Sequence, residues 1–116
     1  MKNLILAAKM LEAFAMMSPD GFTIDKNTLE PITAGYCVAV ADTQNSFDTD
    51  GAVNVVNYAS DNDNIKAFGG WFNQQNGLFY YDAVIVVNDL QTALRLGREN
   101  KQIAIFDLNR MEEITL

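Results

Sequence analysis

The chain has 116 residues, 49% of them hydrophobic and 20% charged, with fifteen acidic residues against eight basic ones and no histidine. This is the size and balance of one globular domain that buries a core without metal or disulfide support. The net charge of −7 is local as well as global. No Lys or Arg lies between Lys26 and Lys66, while Glu30, Asp42, Asp48, Asp50, Asp61 and Asp63 fall inside that stretch. Direct DNA or RNA binding needs cations to displace condensed counterions, so nucleic acid is not an expected partner.

Residues 1–20 read as an N-terminal helix and its stop. Leu4, Ala8, Leu11 and Ala15 recur at helical spacing with Ile5 and Phe14 beside them, and Ser18-Pro19-Asp20-Gly21 ends the run. The apolar face is wide, so it is expected to pack on a sheet or on another chain. Lys9 and Glu12 interrupt the apolar stretch, which is too short for a signal core or a membrane span. A cytoplasmic protein without membrane contact is expected.

Residues 21–35 read as an irregular arm or small hairpin, with Phe22-Thr23-Ile24 as a short strand and Pro31 arguing against a central one. Tyr36–Ala41 is the first strong strand. A polar loop, Asp42 to Asp50, leads to a helix over Gly51–Ala59, capped by Asp48 or Thr49. Ala67–Gln74 and Leu78–Val87 form a hairpin, with Asn76-Gly77 as a two-residue turn. Gly69-Gly70 inside its first strand marks a bulge or a close backbone approach. Asn88 starts the next helix with Gln91 in a capping-box pattern. Gln102–Leu108 is a further strand, and residues 109–116 return as a short C-terminal one.

Residues 36–108 thus run β-α-β-β-α-β, the ferredoxin-like pattern of an antiparallel four-stranded sheet in an α+β domain. Right-handed crossovers place both helices on one face. Phe79–Val87 is apolar at almost every position, as in a strand covered on both sides, and the N-terminal helix is expected to cover the second face. The alternative is a homodimer that buries it. The strand carrying Trp71 is expected at an exposed sheet edge, where strands recruit partners.

Catalytic machinery is not evident. Cys37 is the single cysteine, sits in an apolar run and has no histidine base to activate it. Asp61-Asn62-Asp63-Asn64 has calcium-type oxygen donors, but Ile65 and Lys66 follow and no glutamate closes the loop. Asp82 and Asp107 lie on strands that flank Tyr36–Ala41 in this topology, and a carboxylate pair there would be the one acid–base candidate. An enzyme, a metal and a cofactor are therefore not expected. Expected contact residues are Trp71 and Phe72 on the aromatic hairpin, and Thr43, Gln44, Asn45 and Ser46 in the polar loop.

Several runs carry a resemblance: Gly21-Phe22-Thr23-Ile24-Asp25, Gly35-Tyr36-Cys37-Val38-Ala39, Thr43-Gln44-Asn45-Ser46-Phe47, Gly69-Gly70-Trp71-Phe72 and Asn100 to Leu108. From about residue 20 to the end the chain resembles a small module of phage, conjugative-element and gut-bacterial proteins, associated with polyvalent mobile-element proteins. The resemblance implies a bacterial or phage accessory protein and carries over no functional residue.

The leading expectation is a non-enzymatic accessory or protein-interaction domain with a protein partner or self-association. The alternatives are a small-molecule-binding regulatory domain, by analogy of fold, and an acidic inhibitor that mimics nucleic acid, which requires the acids to line one surface.

Overall fold

The N-terminal periodicity becomes helix α1, Leu4–Met17, in a computed structural model that describes residues 4–18 and 20–116. The expectations for residues 1–3 and Pro19 lie outside the described residues. Strand β1 (Phe22–Asp25) follows and β2 (Tyr36–Ala39) begins the expected core. A single 3-10 turn (Ala41–Thr43) and the two-residue β3 (Ser46–Phe47) lead into α2 (Asp48–Asp61). The hairpin of β4 (Ala67–Asn73) and β5 (Leu78–Val87) precedes α3 (Leu90–Glu99), β6 (Ala104–Asp107) and β7 (Glu112–Thr115).

All seven strands join one antiparallel sheet in the order β1-β4-β5-β2-β6-β7, with β3 paired to β5 beyond the end of β2. The class is α+β. The sheet is wider than the four-stranded one expected, because β1 is added outside β4 and β7 outside β6. The first arm is a small hairpin. Ile24 bridges Pro31, and Asp25 takes the backbone N–H groups of Asn27 and Thr28 on its carboxylate.

Strand alternation sorts the side chains. Ile24, Phe68, Tyr81 and Ala83 face α1 and α2, where Ala8, Leu11, Ala52, Val55, Val56 and Ala59 complete the main core. Val38 and Ile105 face α3 through Ala93. All three helices therefore lie on one side, which overturns the expectation that α1 covers the other face. α1 packs against α2 instead, Leu11 fully buried and the Phe14 ring 5.8 Å from Phe22.

The helix-free face is covered by another means. Cys37, Ala67, Val84 and Leu108 form a second cluster with Ile32, Val86 and Phe106. The Thr23 side chain comes near enough to the Cys37 thiol to act on its ionisation although β4 and β5 separate their strands. The sheet is thus curled, its helix-free face concave and closed by its own edges and loops. This is why the central strands are apolar on both sides.

Local signals depart from expectation in three places, and a fourth falls on one of two alternatives. α2 starts at Asp48 with Phe47 at the N-cap and no side-chain cap, while Asp48 and Asp50 serve the positive end of the helix from its first turn. α3 is capped by Asp89, not Asn88, through a 2.9 Å bond from the Thr92 amide. The hairpin turn takes residues 74–77, with only Gly77 at positive φ (73°) and its N–H donated to Asn73 O at 2.8 Å. The Gly69-Gly70 pair keeps a continuous register; it marks a close approach, since a Cβ on Gly70 would collide with the rings of Phe22 and Phe79.

Candidate functional site

The polar loop before α2 is largely scaffolding. Thr43 is fully buried, and its hydroxyl accepts the Ala83 N–H of the central strand at 3.0 Å. Ser46 is buried too. It donates to Thr43 O at 2.7 Å and accepts from the Asn54 amide at 2.8 Å. These bonds tie the start of α2 to β5. Only Gln44 and Asn45 of the four expected contact residues stand exposed. Beside them lies an open hollow of about 330 Å³, shared with Asp48 and Asp50. Two carboxylates at a helix N-terminus oppose an anionic ligand there.

Trp71 and Phe72 are both exposed, but on opposite faces of the sheet. Phe72 pairs with Phe79 on the helix side, over an open hollow of about 580 Å³ rimmed by Met16, Ala15 and Glu12 of α1. α1 also leaves Leu6, Met10 and Met17 exposed, so the wide apolar face read from its sequence is only partly covered.

Trp71 lies on the helix-free side. It stacks on Tyr80 with ring centroids 5.0 Å apart and planes 17° from parallel, and Phe47 leans on the other side of Tyr80 at 5.6 Å. The row runs across β4, β5 and β3, because Trp71 and Phe47 are both registered against Tyr80. Reading the sequence missed Phe47. The available signal was one aromatic residue inside an otherwise polar loop, directly before the acids of the first helical turn.

β4 is not the open edge expected along its whole length. β1 pairs with it from Ala67 to Gly70 and stops. Trp71 to Asn73 have no ladder partner on that side among the described residues, although the Gly21 backbone still lies against Gly70 and Trp71, and these residues carry the exposed aromatics.

Asp82 is the next residue after Tyr80 on the same face of β5 and is registered against Gly69. It is partly buried, and it takes no hydrogen bond or ion pair among the described residues. Desolvation alone pushes its carboxyl up to about 6. Asp107 differs in every respect. It faces the opposite side of the sheet, registered with Tyr36, and accepts the N–H groups of Asn109 (2.9 Å) and Arg110 (3.3 Å) at the β6–β7 turn. The two carboxylates do not meet, so no acid–base pair forms from them.

Cys37 is buried, and burial raises its thiol to about 11, with the Thr23 side chain opposing only in part. That disfavours the thiolate a nucleophile requires. Tyr81 is likewise pushed up to about 12, first by burial and then by the charges of Glu12 and Asp48. Among the described residues no three His, Cys, Asp or Glu side chains are grouped to hold a metal ion, and no helix is long and apolar enough to cross a membrane.

What remains is an exposed patch: three aromatic rings in a row, beside them a carboxyl that has no protein partner among the described residues and reaches solvent, and a stretch of strand without a ladder partner at one end. Comparison with protein families, with curated proteins and with solved structures returns no match for this chain.

Proposed function

We propose that this chain is a non-enzymatic protein-interaction domain that engages its partner through the Trp71 surface. The observation that carries this reading is the coincidence of exposed Trp71 and Phe72 with the one part of β4 that β1 leaves unpaired. Exposed aromatic residues supply contact area, and free strand edges supply directed backbone bonds. The four inner strands, β4-β5-β2-β6, are read as a ferredoxin-like core, with β1, β3 and β7 as additions to it. An accessory role in a bacterial or phage cytoplasm follows from the resemblance of the Gly69-Gly70-Trp71-Phe72 and Thr43 to Phe47 runs. Self-association through the same edge is the second form of this reading, and the exposed apolar residues of α1 favour it.

Trp71 is the only tryptophan, so its emission reports on the surface directly. The test is selection of extended peptides from a displayed random library against the chain. Binders that change Trp71 emission and lose at least about tenfold affinity in Trp71→Ala, roughly 1.4 kcal/mol, support the reading. Selection that yields no binders, or binders indifferent to Trp71→Ala, counts against it. Sedimentation equilibrium reads self-association separately, as a mass that rises with concentration and falls back in the variant.

A further inference from the structure

Three aspartates lie within the strands: Asp25, Asp82 and Asp107. Asp25 and Asp107 each accept two backbone N–H groups at a turn. Asp82 accepts nothing among the described residues, although it is partly buried in the middle of the longest strand. A partly desolvated carboxylate with no protein partner opposes folding, and among the described residues no cation is placed to relieve it. Lys26 and Lys66, which flank the strands of this face, are occupied elsewhere. The Lys26 ammonium donates to Ala59 O at 3.2 Å and Asn62 O at 3.5 Å, and Lys66 donates to Asp63 O at 3.2 Å. The titratable groups of the strands that share the face with Asp82 are Asp25 on β1, Cys37 on β2, Tyr80 on β5 itself and Glu113 on β7, and none of them is cationic.

The surroundings of Asp82 are built for an incoming positive group. Its cross-strand neighbour is Gly69, which puts no side chain beside the carboxyl. Its diagonal neighbour is Trp71, within reach of a long side chain on this face. One face of the indole is occupied by Tyr80. The other looks toward the edge where β1 has ended. Gly21 lies against Trp71 but carries no side chain, so a strand added beyond it, at Phe72–Asn73, would place a side chain against that free indole face. From there to β5 is two strand spacings, roughly 10 Å, a span that an arginine and an aspartate bridge together. Arginine also stacks on aromatic faces better than lysine does.

We propose, building on the interaction reading above, that this face receives an arginine side chain from an extended segment of a partner polypeptide paired with β4 beyond Gly21, at Phe72–Asn73, the guanidinium stacking on Trp71 and meeting Asp82. The stack then runs arginine, Trp71, Tyr80, Phe47, and the carboxylate acquires its counter-charge from the partner. The surplus of acid over base in the chain draws such a partner in.

The test uses the whole chain and two capped peptides of alternating Thr and Val, one with a central arginine and one with citrulline, its neutral isostere. Trp71 emission reads affinity, and the carboxyl carbon resonance of Asp82 reads its ionisation. The arginine peptide is expected to bind about tenfold more tightly than the citrulline peptide, the scale of one cation–aromatic contact plus one charge-assisted bond. The Asp82 titration is expected to move to lower pH when the arginine peptide is bound. Asp82→Asn is expected to remove the preference for arginine over citrulline. Equal binding of the two peptides, or a preference that survives Asp82→Asn, overturns the arginine assignment and leaves the Trp71 interface standing. Failure of both peptides overturns the arginine assignment, and failure of the library selection as well overturns the interface itself.

Discussion

Replacing Asp82 with Asn should stabilise the protein at neutral pH. The folded state raises this carboxyl from 3.8 to about 6 through burial alone. A rise of that size corresponds to roughly 3 kcal/mol against the charged form. An asparagine in the same position brings no charge, but its amide lacks a partner too, which costs about 1–2 kcal/mol. The net gain at pH 7 is therefore about 1–2 kcal/mol. The pH profile is the sharper signature. Between about pH 4 and 6 the folded chain holds a proton on Asp82 that the unfolded chain has released. Native protein then binds more protons than unfolded, and this group makes wild-type stability fall as pH rises through that window. Asp25 and Asp89 act in the opposite sense. Backbone bonds, led by Thr28, lower Asp25, and bonds from Thr92 lower Asp89, so their contributions are present above the ordinary carboxylate range and lost below it. Urea unfolding at pH 4, 5, 6 and 7, followed by circular dichroism, measures the difference between variant and wild type, in which Asp25 and Asp89 cancel. The advantage of Asp82→Asn should grow from pH 4 to 6 and level off. A difference that stays flat with pH, or a variant less stable than wild type at pH 7, refutes the reasoning.

Other substitutions test the packing. Gly51→Ala sets a methyl group against the backbone carbonyl of Ser46, 2.9 Å from its oxygen; the gain in helix preference of about 1 kcal/mol is outweighed, and thermal unfolding should show a net loss of about 1–3 kcal/mol. Thr43→Val keeps the shape but orphans the buried Ala83 amide, so urea unfolding should show a loss of about 1–3 kcal/mol, with faster hydrogen exchange at Ala83. Leu11→Ala removes a fully buried side chain from the contact between α1 and α2 and should cost about 2–5 kcal/mol in the same assay. A negligible effect there would mean that α1 does not belong to the folding unit.

The helices and the main strands were legible because their signals are local and redundant. The valines and alanines of α2 and the unbroken apolar run of β5 fit few alternatives. The α+β class followed from their order. What escaped depends on contacts between distant residues. The side of the sheet on which α1 settles is decided by Leu11 meeting α2, and a helix with so wide an apolar face fits either side equally well. The cap of α3 passed from Asn88 to Asp89 because both residue types suit the position, and one residue of register separates them. The two-residue turn at Asn76-Gly77 was displaced by a longer loop in which Asn73 and Asn76 accept the N–H groups of Gln75 and Leu78. For the site, Trp71 and Phe72 were visible as aromatics on a hairpin. That they point to opposite faces follows from strand alternation, whereas that Phe47 leans on Tyr80 rather than entering the core depends on the pairing of β3 with β5.

The curl of the sheet and the exposure of the aromatic row have a common origin in the sequence of β4. Its first half, Ala67-Phe68-Gly69-Gly70, gives the concave face only Ala67 and Gly69. With Cys37 and Ala39 across the sheet on β2, these small side chains leave room for the two flanks to approach, which is how Thr23 comes to reach Cys37. At Trp71 the pattern changes. There an indole stacks on a phenol, and the β1 ladder ends at Gly70, with Gly21 against Trp71 as its last neighbour on that side. Asp82 stands at the boundary, opposite the last small residue and next to the first large one. It is close enough to the interior to be desolvated and close enough to the rim to be reached from outside. A carboxylate one strand position either way, at Tyr81 or Ala83, would lie in the core beneath the helices, and one at Val84 would be buried in the cluster of the helix-free face; in none of these places would it be open to a counter-charge from outside.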